Sequence, residues 1–271
     1  MSHDSIASSV DLERYPLHRP DSDGYAELLD HASAEFREHG MFDLVDFLRP
    51  EAVARAVHEL RPLVEHESFL HARVHNVWFL PDDEAAEVHG VDERHPSLAP
   101  IRTSNRTVCA DRMPGSVVVD VYEWAPLRTF VAAVVGVGEL HLMDDPLARV
   151  NVMSYRDGES LGWHFDRGAF TTTLLVQRPD AGGRFEFRHG LRGPGWVDHD
   201  ALGRTIVGDD PLIERRDLRP GTVTIFAGHD TLHRVEPVEG AVDRLIAVYS
   251  WADAPGVHFS DTERIGFYGR A

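Results

Sequence analysis

Lysine is missing altogether: all 27 basic side chains among the 271 residues are arginine. A guanidinium stays protonated and cannot act as an amine nucleophile, so Schiff-base and pyridoxal-phosphate chemistry is excluded. Walker-type phosphate loops and kinase-like ATP sites fall with it, because each needs its lysine. Cations are scarce as a class. Against 45 Asp and Glu they leave a formal net charge of −18, which argues against binding nucleic-acid phosphates or anionic membranes. GC-rich codon usage is sufficient to explain the arginine preference.

Cysteine is almost as rare. Cys109 stands alone, which rules out internal disulfides and Cys-rich zinc or iron–sulfur centres; it reads as a small core residue. No apolar run nears the roughly 20 residues that span a bilayer, and residues 1–20 lack the apolar segment of a secretory signal. The expectation is a cytoplasmic protein that holds any metal through histidine and carboxylate, with 17 His to draw on. A homodimer is left open.

What is present divides near residue 149. Residues 1–22 read as a flexible arm and 23–148 as a helical, mixed part. Leu28, Leu29, Ala32 and Phe36 recur at helical spacing before Gly40, and Val53, Val57, Leu60 and Val64 do so after Pro50. A third helix is predicted from Pro126 to Gly136, strands over 41–48 and 73–80, and a loop over 82–100. From 149 to 252 short β-rich segments alternate with Gly, Asp and Pro turns, which favours a sandwich or barrel. Residues 189–220 read as a loop or lid, and 253–271 as a C-terminal tail. The fold class is therefore α+β: a single domain with an antiparallel jelly roll in its second half.

Chemistry concentrates in Leu161-Gly162-Trp163-His164-Phe165-Asp166. Residues two apart on a strand share a face, so His164 and Asp166 can aim at one point. A later strand carries His233, and Arg244 follows eleven residues on. Two histidines and one carboxylate make the facial triad of non-haem Fe(II) oxygenases. Arginine can pair bidentately with a carboxylate, as anchoring a dicarboxylate requires.

These motifs resemble the Fe(II)/2-oxoglutarate-dependent dioxygenases, and within them a bacterial subgroup that hydroxylates or halogenates free amino acids. Further support comes from Asn151-Val152-Met153-Ser154-Tyr155, Thr173-Leu174-Leu175-Val176-Gln177, the Gly182-Gly183 pair, Leu232-His233-Arg234-Val235 and Phe267-Tyr268-Gly269-Arg270. The resemblance implies a double-stranded β-helix, cupin-like, with N-terminal helices packed on it. It implies Fe(II) on His164, Asp166 and His233, with 2-oxoglutarate and O2 as cosubstrates and ascorbate as an in vitro reductant. Arg244 would take the distal carboxylate of 2-oxoglutarate, with Tyr155 and Thr173 as further cosubstrate contacts. Halogenases of the subgroup carry a small residue where Asp166 stands, so the implied outcome is hydroxylation of an unactivated C–H of a free amino acid or similar small metabolite, with succinate and CO2 released. Arg73, His75, Trp163 and Trp251 are candidate substrate contacts. Desaturation or ring closure with the same cofactors, a jelly-roll metal- or small-molecule-binding protein without turnover, and a zinc hydrolase stand as alternatives.

Overall fold

The computed structural model describes residues 3–271. After α1 (His3–Ser9), the hydroxyl of Ser22 caps α2 (Asp23–His39) by accepting the Tyr25 N–H. Gly40 ends that helix in the left-handed region, φ 70°, where a side chain is disfavoured. Next come β1 (Met41–Leu44) and α3 (Pro50–His66), the latter opening on proline. The first half closes with β2 (Phe69–His75), α4 (Asp82–His89), β3 (Ile101–Cys109), α5 (Val117–Glu123), α6 (Ala125–Val135) and β4 (His141–Leu142).

The second half is strand-rich. It runs β5 (Val150–Tyr155), β6 (Leu161–His164), β7 (Thr171–Gln177), β8 (Ala181–Gly182), β9 (Phe185–Arg188), β10 (Arg192–Gly193) and β11 (Trp196–Val197). After α7 (His199–Val207) follow β12 (Glu214–Arg216), β13 (Val223–Phe226), β14 (Leu232–Val235), β15 (Val238–Glu239), β16 (Arg244–Tyr249), β17 (Trp251–Ala252) and α8 (Asp261–Tyr268).

Seven strands form an antiparallel sheet ordered β1-β13-β7-β16-β5-β3-β2, and four form a smaller one ordered β12-β9-β14-β6. A bridge between Ser104 and Ser160 brings β3 against the smaller sheet. The result is a jelly roll with helices on the outer face of its larger sheet. Strand alternation separates the two sides. Leu245, Ala247 and Tyr249 of β16 join Leu60, Val121 and Phe130 in the main core, which leaves Arg244, Ile246 and Val248 for the barrel interior.

Several expectations change. Met1 and Ser2 of the expected arm lie outside the described residues, but the rest is packed: Ile6, Val10, Tyr15 and Leu17 belong to the main core. Val10 bridges Leu48, and the Arg49 N–H donates to the Ser9 carbonyl, so backbone pairing fixes a stretch that composition alone reads as polar. The strand expected over 73–80 ends at His75, and a turn follows. The acidic 82–89 stretch is α4; Asp82, Asp83 and Glu84 sit in its first turn, where the helix dipole favours negative charge. The 189–220 segment contains the β10–β11 hairpin, α7 and β12.

The expected tail is also ordered. It ends in α8, which opens with a capping box between Ser260 and Glu263. Asp145, fully buried, holds the segment leading to it. Its carboxylate accepts the N–H groups of Leu147, Ala148 and Phe259 and pairs with Arg264 Nε at 2.8 Å. Burial pushes this carboxyl upward, but Arg264 and the three amides outweigh it and hold it below the usual aspartate value. Asp145→Ala is expected to cost about 3 kcal/mol in urea unfolding at pH 7, since it strands buried donors. Because the folded-state pKa is depressed, that contribution is full above about pH 4 and is lost as pH falls through the lower folded value.

Candidate active site

The smaller sheet places the two histidines. On the antiparallel pair β6–β14, His164 and His233 are direct partners. Their rings lie 4.1 Å apart between centroids. In each, Nδ1 donates to a backbone carbonyl two residues back: His164 to Gly162 at 2.8 Å, His233 to Thr231 at 2.9 Å. That bond fixes the tautomer and leaves both Nε2 lone pairs pointing inward.

Asp166 reaches the same point by a different route from the expected strand parity. β6 ends at His164, and the Asp166 N–H is instead tied to the Gly228 carbonyl at 3.0 Å. Its Oδ1 lies 3.3 Å from His164 Nε2 and 3.6 Å from His233 Nε2. Oδ2 is occupied, accepting from the Thr171 hydroxyl at 2.6 Å. Gly228 allows the approach, because a Cβ there would lie 2.2 Å from Oδ2. Sequence reasoning missed both Thr171 and Gly228.

One ligand atom from each of the three residues falls within 4.8 Å of the others. Burial pushes the Asp166 carboxyl upward, yet His233, His164 and Thr171 outweigh it and hold it far below the usual carboxylate range. Burial, with His164 beside it, pushes His233 down to about 4. The set is one carboxylate oxygen and two imidazole nitrogens, a donor chemistry that fits ferrous iron with open positions left over. Phe226 and Phe185 wall His233 at 4.9 and 5.6 Å, and Phe79 lies 5.3 Å from His164.

Arg244 begins β16 opposite Tyr155 of β5, with its guanidinium carbon 5.7 Å from that ring. It is 2% exposed, and its Nη1 has no partner. It lines a cavity of about 640 Å³ with Leu175, Gly183, Phe185 and four other arginines. Those others have carboxylates: Arg178 has Asp217, Arg184 has Glu236, Arg234 has Glu186 and Arg216 has Glu214. A buried guanidinium without a carboxylate among the described residues is costly, and Arg244 has Nη1 left to pair with an anion. Burial pushes the Tyr155 phenol up to about 12, and its hydroxyl donates to Met153 Sδ at 3.5 Å.

Register places Thr173 opposite Val248 and Thr224, four positions along β16 from Arg244, about 13 Å by strand rise. It lies between Thr171, which holds Asp166, and Leu175, which lines the arginine cavity. Of the two expected cosubstrate contacts, Tyr155 is the one that faces Arg244.

On β2, Arg73 and His75 share a face, but they differ in freedom. Both ring nitrogens of His75 are engaged, Nδ1 with the Asn76 carbonyl at 2.8 Å and Nε2 with Thr103 Oγ1 at 2.7 Å. Burial pushes this ring down to about 4. Arg73 has a buried Nε without a partner, and its guanidinium lies 4.1 Å over Phe79 and 5.8 Å from Phe267. Arg167 approaches the same Phe267 ring at 6.0 Å. Phe79 holds φ 56°, a strained backbone for an aromatic residue. Its ring is thereby wedged between Arg73 and the His164 imidazole.

The two tryptophans do not join the site. β6 turns Trp163 to the face opposite His164, where it packs with Val77, Leu98 and Leu232 beneath Arg234. Trp251 stacks on Tyr122 at 5.6 Å against the main core. Strand alternation, applied to each, sends them outward.

Comparison with known proteins matches this architecture. A family model described as HalD, Halogenase D, matches residues 99–263. No curated protein matches the sequence. Among solved structures, a Pseudomonas putida prolyl-4-hydroxylase is similar at TM-score 0.52 and 15% identity, covering 83% of this chain and 99% of its own. AviO1 from Streptomyces viridochromogenes gives 0.55 and 16%, covering 86% and 97%. The epimerase SnoN, in complex with Fe3+, alpha ketoglutarate and nogalamycin RO, gives 0.54 and 13%, covering 87% and 93%. The fold is that of the 2-oxoglutarate–Fe(II) oxygenases. Among the described residues, no helix is long and apolar enough to cross a membrane.

Proposed function

The chain belongs to the Halogenase D family, and on that footing we propose that it is a 2-oxoglutarate- and Fe(II)-dependent oxygenase that hydroxylates an unactivated C–H of a free amino acid or a similar small metabolite. One observation carries the choice of hydroxylation: the carboxylate of Asp166 stands with His164 and His233, filling the position that halogenation leaves vacant.

His164, Asp166 and His233 hold the iron, and Arg244 takes the far carboxylate of 2-oxoglutarate beside Tyr155. Bound iron, with 2-oxoglutarate and O2, supplies the oxidising power for C–H hydroxylation, with succinate and CO2 released. The chain's own residues decide where that power is spent. Thr171 fixes one oxygen of Asp166, so the other is the ligand. Phe79, Phe185 and Phe226 keep the surroundings of the histidines apolar. Arg73 holds an acidic group of the substrate, and so selects which C–H lies nearest. The unpaired Arg244 speaks against a metal-binding protein without turnover, since a bare metal site needs no dicarboxylate anchor.

The test is a succinate-release screen over amino acids and small acids with Fe(II), 2-oxoglutarate and ascorbate, followed by mass spectrometry of the products. A gain of one oxygen is expected. A loss of two hydrogens, or a chlorinated product in chloride buffer, overturns hydroxylation. With the substrate in hand, Arg73→Leu is expected to raise its KM roughly 10- to 100-fold, the worth of a charge-assisted hydrogen bond, with little change in the KM for 2-oxoglutarate.

A further inference from the structure

Between β2 and His164 run hydrogen bonds that meet in the backbone of Gly162, one at its N–H and one at its carbonyl. The Gly162 N–H can only donate, and it donates to Thr103 Oγ1 at 3.0 Å. Thr103 then has its own proton to give, and the acceptor at 2.7 Å is His75 Nε2. The Asn76 carbonyl at 2.8 Å can only accept, which puts the His75 proton on Nδ1 and leaves Nε2 of the neutral ring to accept from Thr103. At the other end, the Gly162 carbonyl receives the Nδ1–H of His164 at 2.8 Å. Every donor meets an acceptor.

Both ends are anchored. Asn76 is 2% exposed; its amide donates to the Leu80 carbonyl and to Asp82 Oδ1, each at 2.7 Å, and its Oδ1 accepts the Trp78 N–H at 3.0 Å. Gly162 lies so close to β3 that a Cβ would sit 2.0 Å from Ile101 Cγ2. Only glycine permits the contact that brings its amide to Thr103. Thr103 itself is 2% exposed.

We propose that Thr103, backed by His75, is a positioning residue that holds the backbone of Gly162 at its N–H and, through the neighbouring carbonyl of the same residue, the ring orientation of His164. It touches neither metal nor substrate. Without its hydroxyl, the Gly162 amide and His75 Nε2 both lose their partner, and the backbone at Gly162 is left to the β6–β14 pairing and the Ser104–Ser160 bridge. The proposal rests on His164 being a metal ligand, as put forward above.

Cobalt(II) titration of the whole chain by calorimetry separates the two. If the wild-type protein fails to bind cobalt, the ligand assignment falls, and the positioning role with it. If it binds, Thr103→Val is expected to bind about 10- to 100-fold more weakly, the usual cost of losing an outer-sphere partner. Thr103→Ser, which keeps the hydroxyl, is expected to stay within about threefold of wild type. Proton NMR of the cobalt-loaded protein adds a readout that general destabilisation does not move: the paramagnetically shifted, exchangeable Nδ1–H of His164. It is expected to shift in Thr103→Val and to hold in Thr103→Ser. Should Thr103→Val fold too poorly to load, His75→Leu cuts the same line one bond further out, and the resonance is again expected to move. Wild-type affinity together with an unmoved resonance in either variant overturns the proposal.

Discussion

Replacing Asp166 with glycine is expected to lower hydroxylation by about three orders of magnitude or more, since it removes a ligand on which the metal chemistry depends. The two histidines alone offer neutral nitrogens, so the substitution takes away the only anionic ligand of the three. The fold is expected to survive. Asp166 lies just beyond β6, its backbone bond to Gly228 is retained by any residue, and Gly228 already leaves room beside it. The freed Thr171 hydroxyl, which now donates to Oδ2 at 2.6 Å, is left facing the vacated space. Product analysis and circular dichroism on the same preparation check both halves. Hydroxylation at the wild-type rate from a folded Asp166→Gly protein sinks the ligand assignment.

The second large effect is expected at Arg244, where function and stability should move in opposite directions. Arg244→Leu is expected to raise the KM for 2-oxoglutarate by at least about 100-fold, from the loss of two charge-assisted bonds to one carboxylate. Arg244→Lys is expected to recover only part of this, because an ammonium is a point charge without the planar fork. Unfolding of the ligand-free protein should run the other way. The guanidinium is buried with Nη1 unpartnered, so leucine relieves a desolvated charge and is expected to leave the melting temperature equal or higher. A structural arginine would show the reverse, with stability lost and KM little changed.

How far these sites were legible depended on which physical signal each residue carries. Short β-rich runs between Gly, Asp and Pro turns marked β5, β7, β13, β14 and β16. The polar composition of β3 hid it. Its inward residues Thr103, Asn105 and Thr107 are buried and polar, so the barrel interior inverts the usual alternation, and the residue on which the further proposal turns went unnoticed. α5 begins Val-Val-Val, a β-branched run whose helical state is set by packing and not by propensity. Trp163 and Trp251 were drawn into the site by proximity in sequence, though alternation turns both outward. Asp166 was found by spacing but is held there by Gly228 and Thr171, partners sixty-two and five positions away that no local pattern joins. The arginine step from His233 to Arg244 was visible; what singles out Arg244 among the five arginines of its cavity is the missing carboxylate, which only three dimensions reveal.

The most direct test of the central claim is an anaerobic titration of the protein with Fe(II) and then 2-oxoglutarate, followed in the visible. A weak metal-to-ligand charge-transfer band that grows to one equivalent is expected from iron held by His164, Asp166 and His233 and chelated by the cosubstrate. A spectrum that stays flat at saturating concentrations of both contradicts it.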